Sequence, residues 1–328
     1  MGSTDIGRFI IYGAGGIGGV VGGHLLMAGY DVVLIGRPAH MQTVQQNGLK
    51  LIKPNQVHTL KITAVTSPAE AGLKPDDVIL LTMKGQNTEG AMHDLKSVIS
   101  DIPVFCLQNG VRNEEIAASF FPRVYSTRVN IGAVYMNDGE VVCRRDPPGW
   151  LVMSVYPRGI DRLVQAVGAA LRKADFYVLV TPDAMPYKWG KLMTNLGNAV
   201  GAITNGSFKE THSITQAAQE EAGQILRAAG ISWLSEDQIK KEWPDFMVPP
   251  HAALNTPEQS STWQSLGRQQ GTVETDFLNG EIVRVAKRIG RPATINETIN
   301  RLALEMAANK EKPGKYPPGE LRRLLGIA

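Results

Sequence analysis

The sequence predicts a doubly wound α/β sheet followed by an all-α domain. Three observations predict it. Apolar, β-branched runs alternate with helical patterns through the first part of the chain, as in a parallel sheet covered on both faces. A glycine-rich turn joins the first run to the first helical pattern. Beyond Pro182 no convincing strand pattern appears, and helical periodicity takes over. The 328 residues are enough for two domains, which we place at 8–182 and 183–328.

The elements follow in order. Residues 8–13, RFIIYG, are a short apolar run. GGVVGGHLLMAGY reads as a helix, with Gly29 placed to end it. DVVLIG is a second run, so strand, helix and strand fit in about thirty residues, a βαβ unit. LKLIKPNQVHTLKITAV reads as two short inserted strands. DDVILLTMK and IPVFCLQNG are buried-type strands, each followed by a helix, TEGAMHDLKSVIS and RNEEIAASFF. From 124 to 155 the grammar changes to RVNIGAVYM, EVVCRR and WLVMSV, antiparallel strands joined by tight turns at NDG and PPG. A helix over 160–173 and the strand FYVLV close this half.

In the second half, SITQAAQEEAGQILRAAG is helical and stops at Gly230. TVETDFLNGEIVRVAKRIG places Val273, Phe277, Ile282, Val285 and Ile289 at helical spacing and stops at Gly290. TINETINRLALEMAANKE opens with Thr294 and Glu297, a capping-box pattern. Residues 244–262, with several prolines, are expected to form a loop between helices, and KPGKYPPGELRRLLGIA a surface tail.

Composition excludes several classes. Hydrophobic content of 43% and charged content of 20% are those of a soluble globular protein. A net charge of +3 with no lysine or arginine run does not imply nucleic acid. No run of about 18 apolar residues is present, so no membrane span is expected. MGSTDIGRFI lacks the apolar region of a signal peptide, and Ile6 stands where a myristoylation pattern needs Ser or Thr. Cys106 and Cys143 make no disulfide framework, which fits a reducing cytoplasm. The six histidines are scattered, with no H-E-x-x-H or C-x-x-C spacing, so no metal is expected.

The glycine turn carries the first chemistry. GAGGIG, that is Gly13, Ala14, Gly15, Gly16, Ile17 and Gly18, fits G-x-G-x-x-G between a strand and a helix. Gly13 permits the tight turn, Gly15 lets the backbone approach a pyrophosphate, and Gly18 lets helix and strand pack closely. The helix N-terminus offers free N–H groups and partial positive charge to the phosphates. This is a Rossmann-type sheet. NAD-binding units usually end their second strand in Asp or Glu, which accepts from the ribose 2′-hydroxyl. Here Gly36 and Arg37 stand there. An acidic group would repel a 2′-phosphate, whereas Arg37 can pair with it bidentately, so the expected cofactor is NADP(H). Ligands of such sheets sit beyond the carboxyl ends of the strands. Lys84, Gln108 and Asn109 follow two of those ends. Lys84 either offsets phosphate charge or is simply solvated. Asn109 either hydrogen-bonds a ligand or is an ordinary turn asparagine.

The stretch MPYKWGKLMTNLGNAVGAIT, 185–204, is the second candidate site. At roughly 100° per residue, Trp189, Leu192, Met193, Leu196, Val200 and Ile203 share a core face. Lys188, Lys191, Asn195 and Asn198 fall opposite. Gly190, Gly197 and Gly201 form a stripe beside them. Glycine costs about 1 kcal/mol relative to alanine inside a helix, so the stripe suggests that something packs close. The polar face is either solvated or lines a site.

GAGGIGGVVGGHLLMAGYDVVLIGR, LLTMKGQNTE, LQNGVRNEE, WGKLMTN and VETDFLNGE stand in the order seen in ketopantoate reductases, and over roughly residues 8–306 the chain resembles that family. The resemblance implies NADPH-dependent reduction of 2-dehydropantoate by a Rossmann domain and a helical domain, with the active site between them. It implies Lys191 as proton donor to the keto oxygen and Asn195 as a substrate ligand. Asn109 would contact substrate and cofactor, Glu274 would lie where the two meet, and Ala133 would offer the cofactor a backbone contact. A lysine is a poor proton donor near neutral pH until burial or neighbouring cations lower its pKa. Two departures bear on the substrate. A second substrate asparagine usually comes four residues after the first, whereas Asn198 comes three after Asn195. The serine region reads STWQSL, with Thr262 at the hydroxyl position and Trp263 in place of Met. An NADPH reductase of another branched 2-keto acid, or a catalytically silent NADPH sensor, are the alternatives. The expected partner is a small keto acid, with neither nucleic acid nor membrane, and a homodimer is the oligomer considered.

Overall fold

The first apolar run becomes β1 (Phe9–Tyr12) of a sheet buried on both faces. The computed structural model describes residues 6–247, 249–254 and 259–327. Residues 1–5, on which most of the N-terminal reading falls, lie outside the described residues, as do Val248 and 255–258 of the expected 244–262 loop.

The chain continues with α1 (Gly16–Met27), β2 (Val32–Ile35), α2 (Pro38–Asn47), β3 (Leu49–Ile52), β4 (Val57–Leu60), β5 (Thr63–Val65), α3 (Pro68–Ala71) and β6 (Val78–Leu81). Next come α4 (Thr88–Val98), β7 (Val104–Cys106), α5 (Asn113–Ala118), β8 (Val124–Ile131), β9 (Ala133–Tyr135), β10 (Glu140–Cys143), β11 (Arg145–Asp146), β12 (Gly149–Val155), α6 (Arg162–Lys173) and β13 (Tyr177–Val180). The helical part is α7 (Met185–Asn195), α8 (Gly197–Thr204), α9 (Phe208–Ala228), α10 (Glu236–Glu242), β14 (Ala252–Ala253), α11 (Ser261–Gly267), α12 (Asn279–Arg288), α13 (Thr294–Ala308) and α14 (Pro318–Leu325).

Among the described residues, the main sheet runs β13-β12-β8-β7-β6-β1-β2-β5. Neighbours from β5 to β8 are parallel, β8 and β12 are antiparallel, and β12 and β13 are parallel. Strand order reverses at β1, between β2 and β6, the switch point where such sheets bind ligands. Side chains alternate between the two faces. Phe9, Ile11, Val32, Leu34, Val78 and Leu80 pack with Val20, Val21 and Leu25 of α1 and with Val164 and Val167 of α6. Ile10, Val33, Ile35, Ile79 and Leu81 pack with Met92 and Leu95 of α4 and with Ala117 of α5. Each fully buried side chain of this size stabilises by about 1.5–3 kcal/mol.

The described residues divide into two compact units. One holds the residues up to Gln108, Asn113–Tyr187, and those from Glu236 to 254; the other holds Asn109–Arg112, Lys188–Ser235, and those from 259 onward. The helical unit has its own core, with Ala199, Val200 and Ile203 of α8, Ile214 of α9, Leu266 of α11, Ile299 and Leu302 of α13, and Leu321 of α14. Among the described residues, no helix is long and apolar enough to cross a membrane.

Several local expectations are corrected. The inserted segment forms three strands; β3 and β4 pair in a second sheet with β9 and β10, while β5 edges the main sheet. A strand does occur beyond Pro182. β14 pairs antiparallel with β11, and the arm carrying it is held by Glu236 accepting from buried Arg128 at 2.9 Å and by Trp243 donating to Tyr187 at 3.2 Å. These partners are far apart in sequence, so no local pattern announces them. Thr294 and Glu297 form no capping box. The α13 N-terminus is instead capped by Glu221, whose carboxylate accepts from the backbone N–H groups of Ile295 and Asn296, both at 2.9 Å. The tail does not merely cross the surface, because it forms α14 and buries Leu321.

His24 of α1 is buried, edge-on to Phe176 at 5.4 Å. Burial, then the charge of Lys53, push its pKa from 6.5 down to about 4, against the weaker opposing pull of Asp175 and Asp146. Between those two values the unfolded chain takes up a proton that the folded chain refuses, so stability falls as pH falls. From pH 7 to 4.5 this costs on the order of 3 kcal/mol. His24→Leu is expected to remove that part of the acid-side decline in melting temperature; an unaltered decline would show that His24 does not cause it.

Candidate functional site

The β1–α1 turn is shaped by what a side chain would strike. Gly13 has φ +110°, and an added Cβ would lie 2.8 Å from the Met83 Cα. At Gly18 a Cβ would lie 2.6 Å from the Thr82 hydroxyl. That hydroxyl donates to the carbonyls of Tyr12 and Gly13 at 3.2 and 2.9 Å, tying the ends of β1 and β6 together at the switch point. The Gly13 and Ala14 N–H groups donate to the Ile35 carbonyl, which ties in β2. Gly15 differs: nothing lies within 4 Å of where its Cβ would be. Gly15 is also the N-cap of α1, and no side chain caps the helix. The turn therefore presents open space in front of helix N–H groups at Gly16, Ile17 and Gly18, the shape and polarity a pyrophosphate needs. Gly16 packs against β9, where a Cβ would lie 3.3 Å from the Ala133 carbonyl carbon. Ala133 thus stands beside the glycine turn.

The candidate nucleotide corner is the end of β2. Arg37 is exposed, caps the N-terminus of α2 by position, and has no acidic residue in the helix's first turn. Its guanidinium lies 5.4 Å from the centre of the Tyr135 ring. His40 meets the same ring edge-on at 5.0 Å and accepts from the Gly139 N–H at 2.8 Å. Burial holds the His40 pKa below its usual value. Sequence reasoning missed this frame, because Tyr135 and Gly139 reach Arg37 and His40 only through the β9–β10 hairpin. Lys84 follows β6 and is half-buried. Gln108 turns to structural work, donating to the Met83 carbonyl at 3.0 Å and to Thr88 at 2.9 Å.

In the helical unit, the stretch 185–204 is two helices rather than one. α7 ends at Asn195, Leu196 keeps helical angles (φ −58°, ψ −28°), and α8 begins at Gly197. The Leu196 carbonyl is taken by the side chain of Asn279 at 3.3 Å, which also donates to Asn296 at 3.0 Å. Asn279 is fully buried. Lys191, Asn195 and Asn198 are half-buried, whereas Lys188, expected on the same polar face, is buried. The glycine stripe has two explanations and one gap. An added Cβ at Gly190 would overlap the Leu234 carbonyl oxygen, at Gly197 it would meet the Thr215 side chain, and at Gly201 it would meet nothing within 4 Å among the described residues.

Glu274 does not sit in the first turn of α12. It precedes a 3-10 turn, Thr275–Phe277, and Leu278, with ψ −94°, separates that turn from the helix. The turn packs against residues 109–112, where Gly110 at φ +80° approaches the Phe277 carbonyl too closely to admit a Cβ. This brings Asn109 to Glu274: the amide donates to the carboxylate at 3.5 Å across 165 residues of sequence. Glu274 is only 5% exposed. Thr262 is in the first turn of α11, buried, with its hydroxyl unpartnered among the described residues. Ser260 rather than Thr262 is the cap, and its hydroxyl donates to the Asn198 carbonyl at 3.2 Å. Trp263 turns its indole N–H to Asn205 at 2.9 Å.

A doubly wound sheet with an open glycine turn, in a chain that also folds a helical unit, has the make-up of a nicotinamide-dependent oxidoreductase. The comparisons with known proteins narrow this. The model described as Ketopantoate reductase PanE/ApbA matches residues 9–158, and its C-terminal counterpart matches 183–307. A 2-dehydropantoate 2-reductase of Pyrococcus horikoshii is 31% identical over 88% of this chain and 94% of its own length. The crystal structure of a PanE/ApbA family ketopantoate reductase from Ralstonia eutropha JMP134 superposes with a TM-score of 0.77 at 26% identity, over 92% of this chain and 99% of that one. D-mandelate dehydrogenase, solved with NADH and anilino(oxo)acetate, shares the fold at a TM-score of 0.76 and 20% identity, over 92% and 99%. The chain belongs to the ketopantoate reductase family.

Proposed function

We propose that this chain reduces 2-dehydropantoate to pantoate with NADPH. The observation that carries the reading is the Asn109–Glu274 pair, two polar groups from distant segments converging on a largely buried position. A bound reduced nicotinamide supplies the hydride to the keto carbon. The protein's own residues do the rest. Lys191 offers positive charge and a proton to the oxygen, which becomes negative in the transition state, so the interaction favours that state over the substrate. Asn195, one helical turn on, orients the substrate without adding charge. Glu274 accepts from a substrate hydroxyl, and Asn109 holds the carboxylate while donating to the ligand. Thr262 offers its hydroxyl, unpartnered among the described residues, to the substrate, and Asn198, whose carbonyl accepts from Ser260 at the start of the same helix, is the second substrate asparagine.

For the cofactor, Gly13–Gly18 would hold the pyrophosphate, Arg37 the 2′-phosphate and Lys84 further phosphate charge, and Ala133 would add a backbone contact. Trp263 favours a second reading, another branched 2-keto acid, because it replaces the usual methionine beside Thr262. Its indole is engaged with Asn205, so ketopantoate remains the first substrate to test. The test is loss of NADPH absorbance with ketopantoate, set against simpler 2-keto acids. Turnover is expected with ketopantoate first; none with ketopantoate but turnover with another keto acid would replace the substrate, and none with any would overturn the reading. Arg37→Asp is expected to weaken NADPH binding at least about tenfold more than NADH binding, as for loss of a bidentate charge pair. Equal losses would refute the assignment of Arg37 to the 2′-phosphate.

A further inference from the structure

The loop Asn109–Arg112 is four residues long and packs with the helical unit, although residues on both sides of it belong to the sheet unit. One side chain makes three of its hydrogen bonds there. The Arg112 Nε donates to Glu281 at 2.8 Å, Nη1 to the Asp276 carboxylate at 3.0 Å, and Nη2 to the Asp276 carbonyl at 2.9 Å. The guanidinium plane also lies over the Phe277 ring, 4.6 Å from its centre. Glu281 is fully buried, and its other oxygen accepts from Arg284 at 2.7 Å. The Asp276 carbonyl belongs to the 3-10 turn that follows Glu274. Arg112 is therefore joined to the backbone two residues after Glu274, and by its own chain to the position three residues after Asn109.

We propose that Arg112 is a positioning residue: it sets the Asn109 amide against the Glu274 carboxylate, and so the substrate site those two form. The inference rests on the reading of Asn109 and Glu274 as substrate ligands. A planar fork with fixed donor directions is what this geometry uses, so lysine, a single point charge on a flexible stem, cannot replace it. The 3.5 Å separation of Asn109 and Glu274 is at the limit of a hydrogen bond. A small slip of the loop breaks it.

The experiment uses the full chain with Arg112→Ala and Arg112→Lys. In the NADPH assay with ketopantoate, Arg112→Ala is expected to raise the KM for the keto acid about tenfold or more, with a smaller fall in kcat. Arg112→Lys is expected to recover only part of the loss. A merely structural role would reduce the amount of active enzyme, lowering apparent kcat and leaving KM in place; that outcome overturns the proposal. Hydrogen–deuterium exchange of the same variants gives a readout that needs no turnover. Faster exchange in 109–112 together with 274–277, with the rest of the helical unit unchanged, supports the positioning role. Unchanged exchange there overturns it even if the wild-type protein fails to reduce ketopantoate, which by itself overturns only the assigned reaction.

Discussion

Lys191→Ala is expected to lower kcat for keto-acid reduction by about 10²–10⁴-fold while changing NADPH affinity by less than about threefold. The size follows from where charge develops. A keto oxygen carries little charge in the bound substrate and nearly a full negative charge once the hydride has arrived. A cation beside it stabilises the second state far more than the first, so its removal appears in kcat rather than in binding. The helix determines the reach. Lys191 is half-buried on α7, one turn before Asn195, and α7 stops at Asn195, where Asn279 holds the Leu196 carbonyl. Lys191 is thus presented from a braced helix end rather than from a loop. Lys191→Arg tests proton donation separately from charge: an arginine retains the charge but does not give up a proton near neutral pH. If charge alone matters, Lys191→Arg keeps most of the activity; if the proton matters, it resembles Lys191→Ala. Unchanged turnover in Lys191→Ala would remove this residue from the mechanism, and a large loss of NADPH affinity would move it to the cofactor.

The parts legible in the sequence are those whose cause is local. Gly13, Gly15 and Gly18 differ in what surrounds them, yet the spacing alone assigned each a role, because a strand–turn–helix of that length leaves few ways to build the turn. The buried strands announced themselves by uninterrupted apolar runs. What stayed hidden depends on partners distant in the chain. Thr294 and Glu297 matched a capping box, but Glu221 of α9 supplies the cap, and a carboxylate on two N–H groups displaces the local alternative. The helical spacing from Val273 to Ile289 hid the 3-10 turn at Thr275–Phe277, after which Asn279 opens the helix as a buried residue. Arg112 has no local pattern at all, since its three partner groups lie more than 160 residues away. Lys188 matched the phase of the polar face and is nevertheless buried, so phase alone does not separate a solvated lysine from an enclosed one. The candidate site was legible as a set of residue types and only partly as an arrangement.

Gly190→Ala is expected to destabilise the helical unit by about 3–5 kcal/mol, at the upper end for a single methyl group. In most helices the same change stabilises by up to about 1 kcal/mol, because alanine is the better helix former. Here the added Cβ would overlap the carbonyl oxygen of Leu234 and lie 2.8 Å from its carbonyl carbon. Both are backbone atoms, so no side-chain rotation relieves the clash. Either α7 or the segment carrying Leu234, between α9 and α10, must move. Gly201→Ala is the matched control, on the same stripe and in the following helix, with nothing within 4 Å of the new Cβ. It is expected to hold or raise the melting temperature, whereas Gly190→Ala lowers it by several degrees or yields insoluble protein. Any folded fraction of Gly190→Ala should also lose turnover, because Lys191 is the next residue and moves with the helix. Equal behaviour of the two variants would mean that α7 does not pack on Leu234 as described, and the placement of Lys191 would fall with it.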